Sequence, residues 1–380
     1  MAHPQREEKS CKWLIQRWDM PPREGVSLAW DRGYIASLEP SPSPPNLAIV
    51  PGLVNPHVHA DFSRLIPARD LIDWIKHVVR FRRTHGVHPI HPQEESMVRY
   101  GTAAWGSIVA RPWKEEETLP HGATRVAFYE VLGDRESPLP PPGHPLSPHS
   151  PYAATPELLQ RVWRERPDSL KAIHLAESKE EVAFVRGENN AFEREIFPLA
   201  GRKPFSRPRA RSPVEYLDTL ECLDDKTLVI HGVFVDGADA ELLATRGASV
   251  VLCPRSNLYL SGKMAPLPML KEAGVPLALG TDGLGSTPSL SLWEEMRTLW
   301  FHARSKGWNL DPQDVLAMAT HQGAQTLGLE HLTGLEEGKE ASFLVIKIPQ
   351  DLPPQELATF VLLQGDLHLE AIYIKGQRVF

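Results

Sequence analysis

Residues 51–59 read Pro51-Gly52-Leu53-Val54-Asn55-Pro56-His57-Val58-His59. The apolar run at 47–50 leads into them and reads as a buried β-strand, the first of a series. Side chains two apart on a strand share a face, so His57 and His59 can converge on one point. Imidazole is the commonest protein ligand for metal ions. A chain with 16 histidines shows such pairs by chance, however. The pair gains meaning only if other strands bring further donors to it.

Outward from that pair the middle of the chain alternates. Strand-like runs are expected at 103–110, 125–132, 147–152, 170–176, 227–235, 248–254 and 276–281. Helix-like stretches fall at 65–84, 156–165, 179–197, 213–222, 236–245 and 267–273, with two more at 290–305 and 312–327. Counting the strand before His57, that makes eight β–α units. Repeated alternation implies a parallel sheet. Eight units fit a closed (β/α)8 barrel, whose active sites lie at the C-terminal ends of the strands. Short strand-like pieces at 13–16, 26–30, 34–38, 341–348 and 371–380 suggest a small β-domain built from both termini.

The polar residues that end the strands then carry the chemistry. The run 170–173 ends at His174-Leu175-Ala176-Glu177, the run 227–230 at His231, and the run 277–280 at Thr281-Asp282. The fourth strand carries His149 and Tyr152. Any one of these alone is as well explained as a cap or a surface residue. Together with His57 and His59 they form a set of nitrogen and carboxylate donors. Catalytic zinc takes three or more such ligands and keeps a position for water. The ion brings the pKa of that water to about 7. A carboxylate within reach shuttles the proton. Glu177, three residues beyond His174, is placed for that role. Asp282, on the strand bordering the first in a closed barrel, is placed to bind the metal and draw a proton from the water.

Composition narrows the classes. The chain has 380 residues, enough for one large barrel and a smaller unit. A formal net charge of −7 argues against a general nucleic-acid or membrane surface. No apolar run has the length of a transmembrane helix, and the first residues lack the continuous apolar segment of a signal peptide. Cys11, Cys222 and Cys253 are far apart and form no disulfide framework. A cytoplasmic protein is expected.

At these residues the chain resembles the amidohydrolase superfamily, and within it the aminohydrolases that deaminate nucleosides, bases and triazines. The likeness rests on PGLVNPHVH (51–59), PHSPY (148–152), HLAES (174–178), IHG (230–232), the segment from CPRSN to GTDG (253–283) and GLEEGKEASFLVI (334–346). It implies an α/β fold, a distorted (β/α)8 TIM barrel over 51–334, with a small β-sandwich formed by 1–50 and 335–380. It implies a single divalent metal, zinc first with iron and manganese open, held by His57, His59, His174 and Asp282. His231 resembles the histidine that orients the hydroxide, Glu177 the proton-transferring glutamate, and His149 a substrate contact. Binuclear members bridge two metals through a modified lysine on the fourth strand. No lysine lies between Lys114 and Lys171, which disfavours that type. The P-C-x-x-C signature of a different zinc deaminase type is absent.

The reaction implied is hydrolytic deamination: hydroxide attacks an amidine-like ring carbon, a ring nitrogen is protonated, and ammonia leaves. In many nucleoside deaminases of this group the helix after the first strand ends in a ribose-binding glutamate. Here the stretch 71–83 ends in Arg80, Arg82 and Arg83, and a second basic segment runs from Arg202 to Arg211. These are solvated surface, or they reach the mouth and pair with a substrate carboxylate, as arginine does bidentately. The second option makes Arg82 and Arg83 substrate-binding candidates. The favoured substrate is then a purine nucleoside bearing a carboxylate, such as aminofutalosine. Chlorohydrolase or guanine deaminase activity stays open, as does an inactive barrel acting as a binding protein. Trp74 reads as core packing, and His77, His85, His88 and His91 as loop or helix-surface residues. The expected partner is a small heterocycle, with no nucleic acid and no membrane. The oligomeric state is open, a homodimer among the options.

Overall fold

Eight parallel strands pair in chain order in the computed structural model, which describes residues 6–86, 90–110 and 119–380. They are β1 (Leu53–Val58), β2 (Thr102–Val109), β3 (Thr124–Glu130), β4 (Leu146–His149), β5 (Lys171–Leu175), β6 (Thr227–His231), β7 (Ser249–Leu252) and β8 (Leu277–Leu279). The sheet nearly closes on itself. Just past β8, the N–H groups of Thr281 and Asp282 both lie 3.2 Å from the carbonyl oxygen of His57. Val54, Ala104, Phe128, Ala172, Leu228 and Val251, from six different strands, share one apolar cluster that fills the barrel. His174 lies two residues beyond Ala172 on the same face, which aims it along that interior. The register sets Ile230 beside His174 and Leu175 beside His231, so β6 brings its histidine to the mouth one residue further along than β5.

The termini form a second sheet of seven strands, in the order Gln377–Arg378, Leu369–Ile374, Phe343–Lys347, Leu47–Pro51, Glu7–Leu14, Arg23–Asp31, Tyr34–Pro40. It curls around its own apolar cluster, where Trp30 meets Phe343 and Tyr373 with ring centroids 5.2 Å apart in each case. The run at 47–50, read from sequence as the barrel's first strand, belongs to this sheet instead. It pairs with Phe343–Lys347 and Glu7–Leu14. Leu47 and Ile49 face the sheet's cluster, while Ala48 and Val50 face the main core. A strand buried on both sides shows an unbroken apolar run whichever sheet holds it. Gly52 is the crossing point between the sheets: a Cβ there would meet Ala103 Cβ at 3.0 Å and Ser342 O at 3.3 Å.

Three helices differ from their expected spans. The first begins at Leu71, not 65, because Asp70 caps it by accepting from the Asp73 N–H. The stretch before it is a loop strapped by the Tyr259 hydroxyl, which accepts from Ala68 N–H and donates to Ile66 O. The run expected at 179–197 breaks after Arg186, where Gly187 takes φ 70°, and helical structure resumes over Phe192–Ile196 and Phe197–Ala200. The run expected at 312–327 splits into Pro312–Met318 and His321–Thr326. A helix not expected, Pro354–Gln364, packs on Leu292–Ser305 and Pro312–Met318. Among the described residues no helix is long and apolar enough to cross a membrane.

Candidate active site

His57, His59 and His174 meet at the C-terminal mouth of the barrel, all buried, with a ring nitrogen of each within 4.8 Å of the others. The Nε2 atoms of His59 and His174 are 3.1 Å apart. His174 Nδ1 lies 3.0 Å from the carbonyl oxygen of His149, to which it donates, so its Nε2 lone pair faces the cluster. Both ring nitrogens of His57 are buried with no hydrogen-bond partner. Burial lowers the pKa of all three imidazoles, that of His59 to about 3. They are therefore neutral at neutral pH, the form that binds a cation. Orphaned buried nitrogens on neutral rings fit a metal site.

Asp282 lies beside this group. Its Oδ2 accepts from Ser256 Oγ and Ser286 Oγ, both at 2.7 Å. Its Oδ1 is turned to the histidines, 3.6 Å from His57 Nε2 and 3.8 Å from His59 Nε2. Burial raises the Asp282 pKa, but the contact with His57 and the neighbouring histidines outweigh it and hold the group well below the usual range. His231 Nδ1 lies 2.8 Å from Asn257 Oδ1 and donates to it, which leaves Nε2 facing Glu177 Oε1 at 3.6 Å.

Glu177 is buried, and burial raises its pKa, opposed by His231 and reinforced by Asp282. Its aim is set from beneath. Glu181 Oε1 and Oε2 accept the backbone N–H groups of Ala176 and Glu177, each at 2.9 Å. Ala176 takes φ 54°, His149 55°, His231 78° and Asp282 56°, all left-handed conformations that side-chain-bearing residues resist. Half of the eight such non-glycine residues among the described ones thus stand at four strand mouths. Strain gathered at one place marks a functional site.

A cavity of about 240 Å³ opens over these groups. Its outer wall is apolar, built by Phe62, Trp74, Val78, Leu132, Ile196 and Phe197 among others. Trp74, expected in the core, lines this cavity with its Nε1 donating to Gly285 O at 2.8 Å. His149 faces the cavity and pairs through Nδ1 with Glu130 Oε1 at 3.0 Å. Glu130 was not singled out from sequence, although it ends β3 as the other site residues end theirs. Burial raises its pKa, but His149, Arg82 and His59 outweigh that and bring it to about 2.

Of the arginines, Arg82 and Arg202 line the cavity. Arg82 donates to Asp61 Oδ2 at 2.8 Å. Arg83 is not among the lining residues and donates to Leu199 O. Arg202 donates to Tyr152 O at 3.1 Å and makes no ion pair among the described residues; burial lowers its pKa. Arg207 and Arg211 are spent on Glu193, and on Asp236 and Asp239. His77 Nδ1 bonds Pro67 O and His91 is exposed, whereas His88 and the side chain of His85 lie outside the described residues. A larger groove, about 500 Å³, lies at the opposite end of the barrel beside Ser249 and Leu277. It holds none of these groups.

Comparison with known proteins gives this arrangement its family. The model of the Amidohydrolase family matches residues 145–379. The chain belongs to the amidohydrolase family. Within it, 34% identity over 223 residues links the chain to a 5-methylthioadenosine/S-adenosylhomocysteine deaminase of Archaeoglobus fulgidus, covering 58% of this chain and 49% of that one. A deaminase of the same name from Syntrophobacter fumaroxidans is 30% identical over 348 residues, 78% of this chain and 72% of that protein. The chain spans about half the length of the first curated relatives it matches, 49% and 51%. Its fold also matches Helicobacter pylori aminofutalosine deaminase in complex with methylthio-coformycin, with a TM-score of 0.81 at 21% identity, over 98% of this chain and 100% of that one.

Proposed function

We propose that this amidohydrolase is a metal-dependent hydrolytic deaminase of an amino-substituted heterocycle, a purine nucleoside or close relative. The observation that carries the reading is His57, whose two buried nitrogens lack partners inside a ring of His59, His174 and Asp282. In this reading those four residues hold one divalent ion, zinc by preference. The ion, when bound, supplies the Lewis acidity that makes hydroxide available at neutral pH. Glu177, its pKa raised by burial, is the group that delivers a proton to the ring nitrogen beside the attacked carbon. Asp282 Oδ1 and His231 Nε2 both face the reaction space with free lone pairs and take up the proton of the water. His149, steadied by Glu130, meets the heterocycle.

The deaminase names of the relatives support adenine nucleosides as the substrate class. The apolar outer wall suits a group with an apolar body at the 5′ side. Arg202, desolvated and without an ion pair, supports an acidic end to that group, as in aminofutalosine; Arg82 serves it less, being already paired with Asp61. The test is ammonia release by zinc-loaded protein from 5′-deoxyadenosine, 5′-methylthioadenosine, S-adenosylhomocysteine and aminofutalosine. Turnover of at least one is expected. Metal-loaded protein that releases ammonia from none of them would overturn the reading.

A further inference from the structure

The strand β7 ends at a buried thiol, Cys253, and brings no imidazole or carboxylate, yet the helix that follows it, Pro254–Ser261, touches one of each. Ser256 and Asn257 in its first turn are both buried. Ser256 Oγ donates to Asp282 Oδ2 at 2.7 Å, and Asn257 Oδ1 accepts from His231 Nδ1 at 2.8 Å. The turn is itself clamped. Glu295 accepts the backbone N–H of Arg255 at 2.9 Å through one oxygen and Arg255 Nε at 2.7 Å through the other. The same guanidinium donates to Ser289 Oγ at 3.0 Å and Ser289 O at 2.7 Å. That fastens the turn to the loop after β8, which carries Asp282 and Ser286.

We infer that Ser256 and Asn257 are positioning residues: one turn of helix sets the orientation of Asp282 and the tautomer of His231 together. The physical reasons are separate for the two. A carboxylate with one oxygen fully engaged by hydroxyls can present only the other, so Ser256 helps commit Oδ1 to the histidines. A neutral imidazole carries one N–H, and an acceptor at Nδ1 puts it there, which leaves Nε2 as an acceptor. Asn257 Nδ2 is buried with no partner, so the residue is kept for its oxygen. A chain that wanted only packing at this place would not bury an unsatisfied amide. The roles assigned to Asp282 and His231 rest on the deaminase reading above.

The experiment uses full-length protein and three variants, Asn257→Leu, Asn257→Asp and Ser256→Ala, measuring zinc affinity as well as kcat and KM on the best nucleoside. Asn257→Leu removes the acceptor; kcat should fall about 10–100-fold, with KM within about twofold and zinc retained. Asn257→Asp keeps an oxygen at the same place and loses no bonded donor, so it should recover most of that loss. Ser256→Ala should weaken zinc binding about tenfold, partial because Ser286 remains. Wild-type kcat in Asn257→Leu, or an Asn257→Asp no better than Asn257→Leu, would overturn the role of Asn257. Unchanged zinc affinity in Ser256→Ala would overturn that of Ser256. Should Asn257→Leu fail to fold, Asn257→Asp is compared with Asn257→Ser, whose shorter side chain withdraws the acceptor; equal kcat in the two would overturn it. The zinc measurement needs no turnover, so it stands even if the wild-type protein proves inactive on every nucleoside and the deaminase reading falls.

Discussion

His57 Nε2 and Asp282 Oδ1 face each other at 3.6 Å where β1 and the segment after β8 come together. The gap is too long for a hydrogen bond, and both ring nitrogens of His57 are buried without another partner. A cation bound by both would satisfy both. His57→Ala and Asp282→Asn should therefore each lose stoichiometric zinc, which elemental analysis of the purified variants reads directly. A full complement of metal in either variant would move the site elsewhere.

Glu177→Gln should separate proton transfer from metal binding. Glutamine fills the same space but carries no transferable acid proton. Zinc content should stay at the wild-type level while kcat drops by about 10²–10⁴-fold. Wild-type kcat would show that another group moves the proton.

Arg202→Met keeps much of the aliphatic stem and removes the guanidinium, whose Cζ lies 5.4 Å from the centre of the Phe197 ring and 6.0 Å from that of Phe205. If the guanidinium binds an acidic group, KM for aminofutalosine should rise by about 10–100-fold, the worth of a charged hydrogen bond. KM for 5′-deoxyadenosine should not move. Arg83→Ala, whose side chain bonds Leu199 O outside the cavity lining, should change neither value. Steady-state kinetics on the two substrates decides among these outcomes.

Glu295 gives a stability prediction with a definite sign. Burial, opposed by Arg255, raises its pKa from 4.5 to about 7. Between those values the folded chain keeps a proton that the unfolded chain releases. The contribution of Glu295 to stability is thus full below the lower value and is lost as pH rises through the upper one. Glu295→Gln should flatten that slope, and comparing melting curves of the two proteins from about pH 5 to about pH 8 cancels the other titrating groups. Parallel curves would show that Glu295 stays ionised in the fold.

Much of the barrel was legible because its strands are short apolar runs that stop at a polar residue. That pattern located His174, Glu177, His231 and Asp282 at one end. Applied evenly it would also have found Glu130, which closes β3 in the same way. It could not tell which sheet owns 47–51, since burial on both faces erases the alternation that would have pointed inward or outward. Nor could it sort the arginines. Arg82 and Arg83 are neighbours in sequence, but a helix turns about 100° per residue, so one enters the cavity and the other leaves it. Trp74 is amphipathic, and its indole is equally at home in a core or on a pocket wall. Ser256 and Asn257 were visible only as part of a motif, because their partners lie on other strands.

The strand Leu47–Pro51 hands alternate side chains to two different apolar clusters, and this ties their fates. Neither cluster can come apart without exposing residues that the other needs. Calorimetry should accordingly record one cooperative melting event for barrel and terminal sheet together, and a chain cut at Gly52 should yield no half that stands by itself.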